Sequence, residues 1–238
     1  MQPRLLLFWF FITGKNGFLA QLSAYKLDII LKETGKAKLD SRLGFEVPTW
    51  NRVYGMLMDL ADEVRASGFK PDILVAISRG GWLPARVLSD LLDNPYITSV
   101  GAEFYVGVAE TSPEPKLTQH IPVSVLEKKI LLVDDVVDSG KSVRLIKAYL
   151  YQKGAKETKI LTLYYKPWSS VKPDFYREET SHWIVFPWEI KETLRKLAKK
   201  SKEKKEPVEI ATSRLIRAGV CKELVEHFLN EISTQKEP

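Results

Sequence analysis

The chain has 238 residues, 45% hydrophobic and 28% charged, enough to bury one sizeable core with a small appendage. A single cysteine, Cys221, excludes an internal disulfide and a multi-cysteine metal site, and His120, His182 and His227 lack a metal-ligand spacing. The net charge of +6 is concentrated in residues 191–207, where seven Lys and one Arg face three Glu with no aromatic to stack on a base. That run is expected to be a solvated helix end or linker, which argues against a nucleic-acid partner.

In chain order, the N-terminus opens with the apolar run "LLLFWFFI" behind Arg4. It is too short to span a bilayer, and neither a transmembrane span nor a small-residue cleavage site follows. A membrane-surface anchor, an element buried against a partner, and residues ahead of a misassigned start all fit, the last two better than export. From about residue 47 a regular alternation begins. "VPTWNRVYGMLMDLADEVRASGF" places Val53, Leu57, Leu60 and Val64 at helical spacing and stops at Gly68. "PDILVAI" reads as a strand, "SRGG" as a turn, and "WLPARVLSDLLD" as a helix; "YITSVGAEFYV" is a second strand. Residues 107–120, with two prolines and no period, read as a loop that covers an active site. "KKILLVD" is a third strand, turning through "DSGKS" into the helix "SVRLIKAYLYQKG", which Gly154 closes. "TKILTLYY" and "HWIVF" supply a fourth and a fifth strand. Beyond residue 207, two amphipathic helices joined at "AGVC" form a hairpin, better suited to packing or dimerisation than to DNA.

Nearly all-apolar strands alternating with helices predict an α/β fold, with a parallel sheet covered on both faces. Ligands bind such sheets at the carboxyl ends of the strands. "SRGG", the 107–120 segment, "DDVVDSGKS" and "KPWS" all fall at those ends.

The "DSGKS" turn suits an anion. Gly140 lets successive N–H groups face one concavity, the following helix adds its positive end, and Ser139, Lys141 and Ser142 add hydroxyls and a charge. A nucleoside-triphosphate loop is excluded, because its first glycine would fall at position 135, which is Asp. Asp134 and Asp135 only accept hydrogen bonds when ionised, so they suit hydroxyls or a divalent cation. A ribose 5-phosphate, with Mg2+ nearby if a diphosphate is attached, satisfies both halves of the stretch.

"VDDVVDSGKS" resembles the phosphoribosyl-diphosphate motif of type I phosphoribosyltransferases, and the likeness extends over roughly residues 47–190. The resemblance implies the fold of that family, with a small hood. Residues 1–46 then form an N-terminal extension, and 191–238 a basic linker with a helical hairpin. Asp138 stands where the 6-oxopurine branch has its acid/base facing purine N7; the short archaeal and bacterial hypoxanthine–guanine–xanthine enzymes are nearest in outline. By the same resemblance Asp134 and Asp135 hold the ribose hydroxyls, directly or through Mg2+, and Ser139, Gly140, Lys141 and Ser142 wrap the 5-phosphate. Ser78, Arg79 and Gly80 form the pyrophosphate loop, with a cis peptide expected between Ser78 and Arg79. Lys166 meets the purine 6-oxo group, Trp183 stacks on the base and the Ile184 backbone lies at its edge, while Trp168 and Trp188 are left to packing. The implied partners are phosphoribosyl diphosphate, a purine base and a second copy of the chain, in the cytoplasm. A phosphoribosyl-diphosphate sensor that binds nucleic acid, and an enzyme for adenine or orotate, are the competing readings.

Overall fold

The computed structural model describes residues 44–105 and 114–234. Among them the chain runs β1 (Phe45–Glu46), α1 (Trp50–Ala66), β2 (Ile73–Ser78), α2 (Trp82–Leu91), β3 (Ile97–Tyr105), β4 (Glu114–Gln119) and β5 (Lys129–Val137). It continues through α3 (Lys141–Gln152), β6 (Glu157–Tyr165), β7 (Phe175–Glu179), β8 (Trp183–Ile184), α4 (Ile190–Lys204), α5 (Val208–Ala218) and α6 (Lys222–Thr234). The six-stranded sheet has the order β4–β3–β2–β5–β6–β7, and β1 pairs with β8 in a separate parallel pair.

Side-chain alternation along the strands decides which helices cover which face. Leu74, Ala76, Leu131, Val133, Leu161 and Leu163 point to one side, where Val53, Leu57, Leu60 and Val64 of α1 and Ala85 and Leu88 of α2 bury them. Val75, Ile77, Ile130, Leu132 and Ile160 point to the other and meet Val143, Ile146 and Leu150 of α3. Both faces are dry, as near-continuous apolar strands require. Thr49 caps α1 by accepting the Arg52 N–H at 3.2 Å, and Gly68 and Gly154 end their helices at φ 71° and 87°.

Four expectations need correction. The sheet is not wholly parallel, because β4 runs antiparallel to β3 along one edge. Residues 114–119, expected to be loop, are that strand; Pro115 is tolerated there because an edge strand has a ladder face without a partner. "HWIVF" does not join the main sheet: only Trp183–Ile184 is extended and it pairs with β1, while Phe175–Glu179 is the outer strand beside β6. The lysine-rich run is a helix rather than a linker, since α4 covers Ile190–Lys204 and buries Leu194. The N-terminal run and the rest of residues 1–43, together with 107–113 of the expected cover, lie outside the described residues.

Helices α4 to α6 share a third apolar cluster of Val185, Leu194, Leu215, Val220 and Val225, against which Phe45, Val47, Phe228 and Ile232 pack. Residues 44–46 therefore pack with this body, and the described residues form one compact unit.

Candidate active site

At the carboxyl edge of the sheet, β5 carries its two acids further than a simple strand end would. Because β5 runs through Val137, neighbouring residues Asp134 and Asp135 fall on opposite faces. Asp134 lines a hollow of about 170 Å³ together with Phe104, Asp138, Ser139, Gly140 and Ser142. Asp135, buried, turns the other way: a Cβ on Gly80 would lie 2.3 Å from its Oδ2, so only glycine lets the β2–α2 turn pass.

Both carboxyls are shifted upward. Burial is the chief cause for Asp134 and the charge of Asp135 the next, opposed by the Asp135 N–H that donates to Asp134 Oδ1 at 3.0 Å. Burial pushes Asp135 up to about 6, against the N–H of Val136 and the indole of Trp188. That indole N–H acts at longer range, since it is buried without a partner in hydrogen-bond geometry. Glu189, at the start of α4, is pushed up to about 7 by burial and then by the charge of Asp135. Sequence reasoning missed this third acid; the only sign was its place after the "FPW" of the last apolar run.

The phosphate-type turn is built as expected. Gly140 has φ 79° and stands before α3 without a side-chain cap, so the first N–H groups of that helix are available to an anion. Ser139 Oγ accepts weakly from the Lys141 N–H at 3.4 Å. Lys141 sends its ammonium to Glu114 of β4 at 2.5 Å, so part of its charge is spent within the fold. In the β2–α2 turn the Ser78–Arg79 peptide bond is cis, and Ser78 Oγ is buried without a hydrogen-bond partner. Arg79 reaches out to Glu192 of α4 at 2.7 Å.

The remaining predicted residues gather beside β6. Lys166, buried at its end, donates to the His182 carbonyl. Burial lowers its pKa, while Asp138 and Glu46 act in the opposite sense. Asp138 is exposed and accepts a 2.8 Å hydrogen bond from the Trp168 indole. Trp168, which the sequence reading left to packing, is 57% exposed and sits under the Lys166 ammonium at 5.6 Å. Trp183, 43% exposed, is held by its N–H to the Gly44 carbonyl at 2.9 Å, while Ile184 is buried behind it. A larger hollow of about 640 Å³, lined by Arg65, Lys70, Asp72, Asn94 and Tyr96, lies where β2 and β3 begin, at the opposite edge from these groups.

A strand–turn–helix anion cradle, a cis peptide in the facing turn and an acid pair between them make one constellation, and residues 47–194 match the family model described as Phosphoribosyl transferase domain. The chain belongs to the phosphoribosyltransferase family. A xanthine-guanine phosphoribosyltransferase of Cereibacter sphaeroides is 31% identical to this phosphoribosyltransferase over 162 residues, spanning 65% of this chain and 92% of that protein. A purine phosphoribosyltransferase from Pyrococcus horikoshii has a TM-score of 0.56 at 37% identity, over 60% of this chain and 93% of its own. The Xanthine-Guanine-Hypoxanthine Phosphoribosyltransferase of Helicobacter pylori gives 0.56 at 25% identity, over 64% and 98%.

Proposed function

We propose that this phosphoribosyltransferase transfers the 5-phosphoribosyl group from phosphoribosyl diphosphate to N9 of a 6-oxopurine, releasing pyrophosphate. The observation that carries the reading is the pairing of Asp138 with Lys166 around Trp168. A carboxylate able to take a proton from N7 lies beside an ammonium able to donate to a 6-oxo oxygen and unable to accept from a 6-amino group. The similarity to relatives named for xanthine and guanine supports the same substrate class.

The chain's own groups divide the work. The turn from Ser139 to Ser142 binds the 5-phosphate through backbone N–H groups and hydroxyls, and Asp134, in the same hollow, accepts from ribose hydroxyls. As the bond from C1 to the diphosphate breaks, positive charge builds on the ribose, and the fixed carboxylate stabilises it. Ser78, Arg79 and Gly80 receive the leaving diphosphate. Trp183 stacks on the base with Ile184 at its edge, and Asp138 shares the N7 proton as N9 attacks. Asp134 and Asp135 suit Mg2+: burial raises both, and the charge of Asp135 raises Asp134 further, a strain that a cation relieves. Among the described residues no three His, Cys, Asp or Glu side chains gather into a cage of their own, which fits an ion that completes its shell with water and substrate phosphates. When bound, it would neutralise charge on the diphosphate. The homodimer and the cytoplasmic location follow from the family resemblance, and sedimentation of the purified chain tests the first.

Turnover of hypoxanthine, guanine, xanthine, adenine and orotate with labelled phosphoribosyl diphosphate tests the assignment. Product is expected with at least one 6-oxopurine and with neither adenine nor orotate. Asp138→Asn should lower kcat by about a hundredfold, the range of a lost general acid or base, with phosphoribosyl-diphosphate affinity kept. Full activity in that variant would remove Asp138 from the chemistry.

A further inference from the structure

We infer that Trp168 is a positioning residue for Asp138, holding the carboxylate through its indole N–H so that one oxygen is left for the purine. The inference rests on the 6-oxopurine reading above and names a further residue of the same site.

Burial does not explain Trp168. Its side chain is 57% exposed, in a turn between β6 and β7 where any polar residue would be more soluble. Its contacts do explain it. The indole N–H donates to Asp138 Oδ1 at 2.8 Å, and the Lys166 ammonium lies 5.6 Å from its ring centroid. The indole N–H is a donor only, so the carboxylate oxygen is the acceptor it requires. It takes one oxygen and leaves Oδ2 without a partner among the described residues. Exposed carboxylates ordinarily turn freely about their last bond, and a fixed one presents its lone pairs in a single direction.

The turn that carries Trp168 is itself clamped to the phosphate-type turn. The Ser170 N–H and hydroxyl both donate to the Ser139 carbonyl, at 3.1 and 2.9 Å. A Cβ on Gly140 would come within 2.8 to 2.9 Å of Val171 N and the hydroxyls of Ser169 and Ser170. The Ser169 N–H bonds back to the Lys166 carbonyl at 2.9 Å, closing the turn on the residue that faces the 6-oxo group. Residues 166–171 thus tie together three parts: the phosphate turn, the acid/base carboxylate and the ammonium. Among the described residues, Trp168 is the member of that brace whose only hydrogen bond runs to the carboxylate.

Trp168→Phe keeps the ring near Lys166 and removes the N–H, so it separates the two contacts. With the full chain and the 6-oxopurine it turns over best, kcat is expected to fall about tenfold, as for a catalytic group left mis-oriented rather than deleted. KM for phosphoribosyl diphosphate should stay within about twofold, and the melting temperature should match wild type. Placed on Asp138→Asn, the same change should cost nothing further, because the group it orients has lost its function. Full turnover of Trp168→Phe on the wild-type background would overturn the inference and leave the 6-oxopurine reading standing. So would an equal loss on both backgrounds, a shifted KM for phosphoribosyl diphosphate, or a large drop in melting temperature, each of which marks a structural ring. A wild-type chain with no turnover on any 6-oxopurine would overturn both readings.

Discussion

Asp134 and Asp135 are neighbours in sequence with different surroundings, one opening on the phosphate turn and the other packed under Gly80. At the scale of single residues this makes Gly80 an exacting position of the site. A methyl group there would press against all three outer atoms of the Asp135 carboxyl, at 2.3 to 2.5 Å. Gly80→Ala is expected to cost about 1–3 kcal/mol, the range for overpacking, and to lower kcat/KM at least about tenfold by displacing the acid. Thermal melting and steady-state kinetics on the same preparation check it; unchanged values in both would mean the turn yields freely. Gly80 and Asp138 drew notice through the family resemblance of "SRGG" and "VDDVVDSGKS". Glu189 and Trp168 were not readable, because neither is close in sequence to the acid it meets.

Among the elements, α4 reaches into the site. Glu192 in its first turn holds Arg79, and Lys196 one turn on holds Glu192 at 2.9 Å. Lys196 first, and Arg79 after it, keep the Glu192 carboxyl below its usual range. In the proposed reaction Arg79 exchanges this carboxylate for diphosphate oxygens. Glu192→Gln should therefore lower KM for phosphoribosyl diphosphate by at most about fivefold, since an exposed pair is worth no more than about 1 kcal/mol. A raised KM would mean that Glu192 pre-sets Arg79 instead of competing for it. This helix was hidden by its lysines, although Leu194, Leu197 and Ser201 keep a helical spacing beneath them. The outer strand β7 was hidden for a related reason. "FYREE" alternates in burial and turns charges outward, where Arg52 clasps Glu178 at 2.9 and 2.8 Å and Arg177 meets Asp59 at 2.9 Å. A search for apolar runs finds central strands and passes over such an edge. The interior strands and the helices that cover them were legible, because burial on both faces leaves little choice of residue.

For the whole molecule, the acids set a pH dependence of opposite sign to ordinary acid denaturation. Asp135 rises from 3.8 to about 6 and Glu189 from 4.5 to about 7 on folding. An acid whose pKa is raised by folding binds its proton more tightly in the native state. Its contribution is therefore complete below the unfolded value and is lost as pH climbs through the folded one. With divalent cations chelated, the melting temperature should fall by a few degrees between about pH 5 and pH 8. Asp135→Asn should flatten that slope. Glu192, lowered rather than raised, weakens the fold only below its unfolded value near 4.5 and leaves this window clear. A melting temperature that rises across the window in wild type would show that these carboxyls are not strained.

The pairing of β1 with β8 gives the two halves of the site different histories. The phosphate-type turn is the more local product: β5, the turn and α3 follow one another without a break, and the clamp from Ser170 to Ser139 closes 31 residues. The wall that carries Trp183 depends on Phe45 meeting it from more than a hundred residues away, a closure that costs chain entropy before it returns any contact. A chain caught part-way through folding could thus grip a sugar phosphate before it had a place for the base.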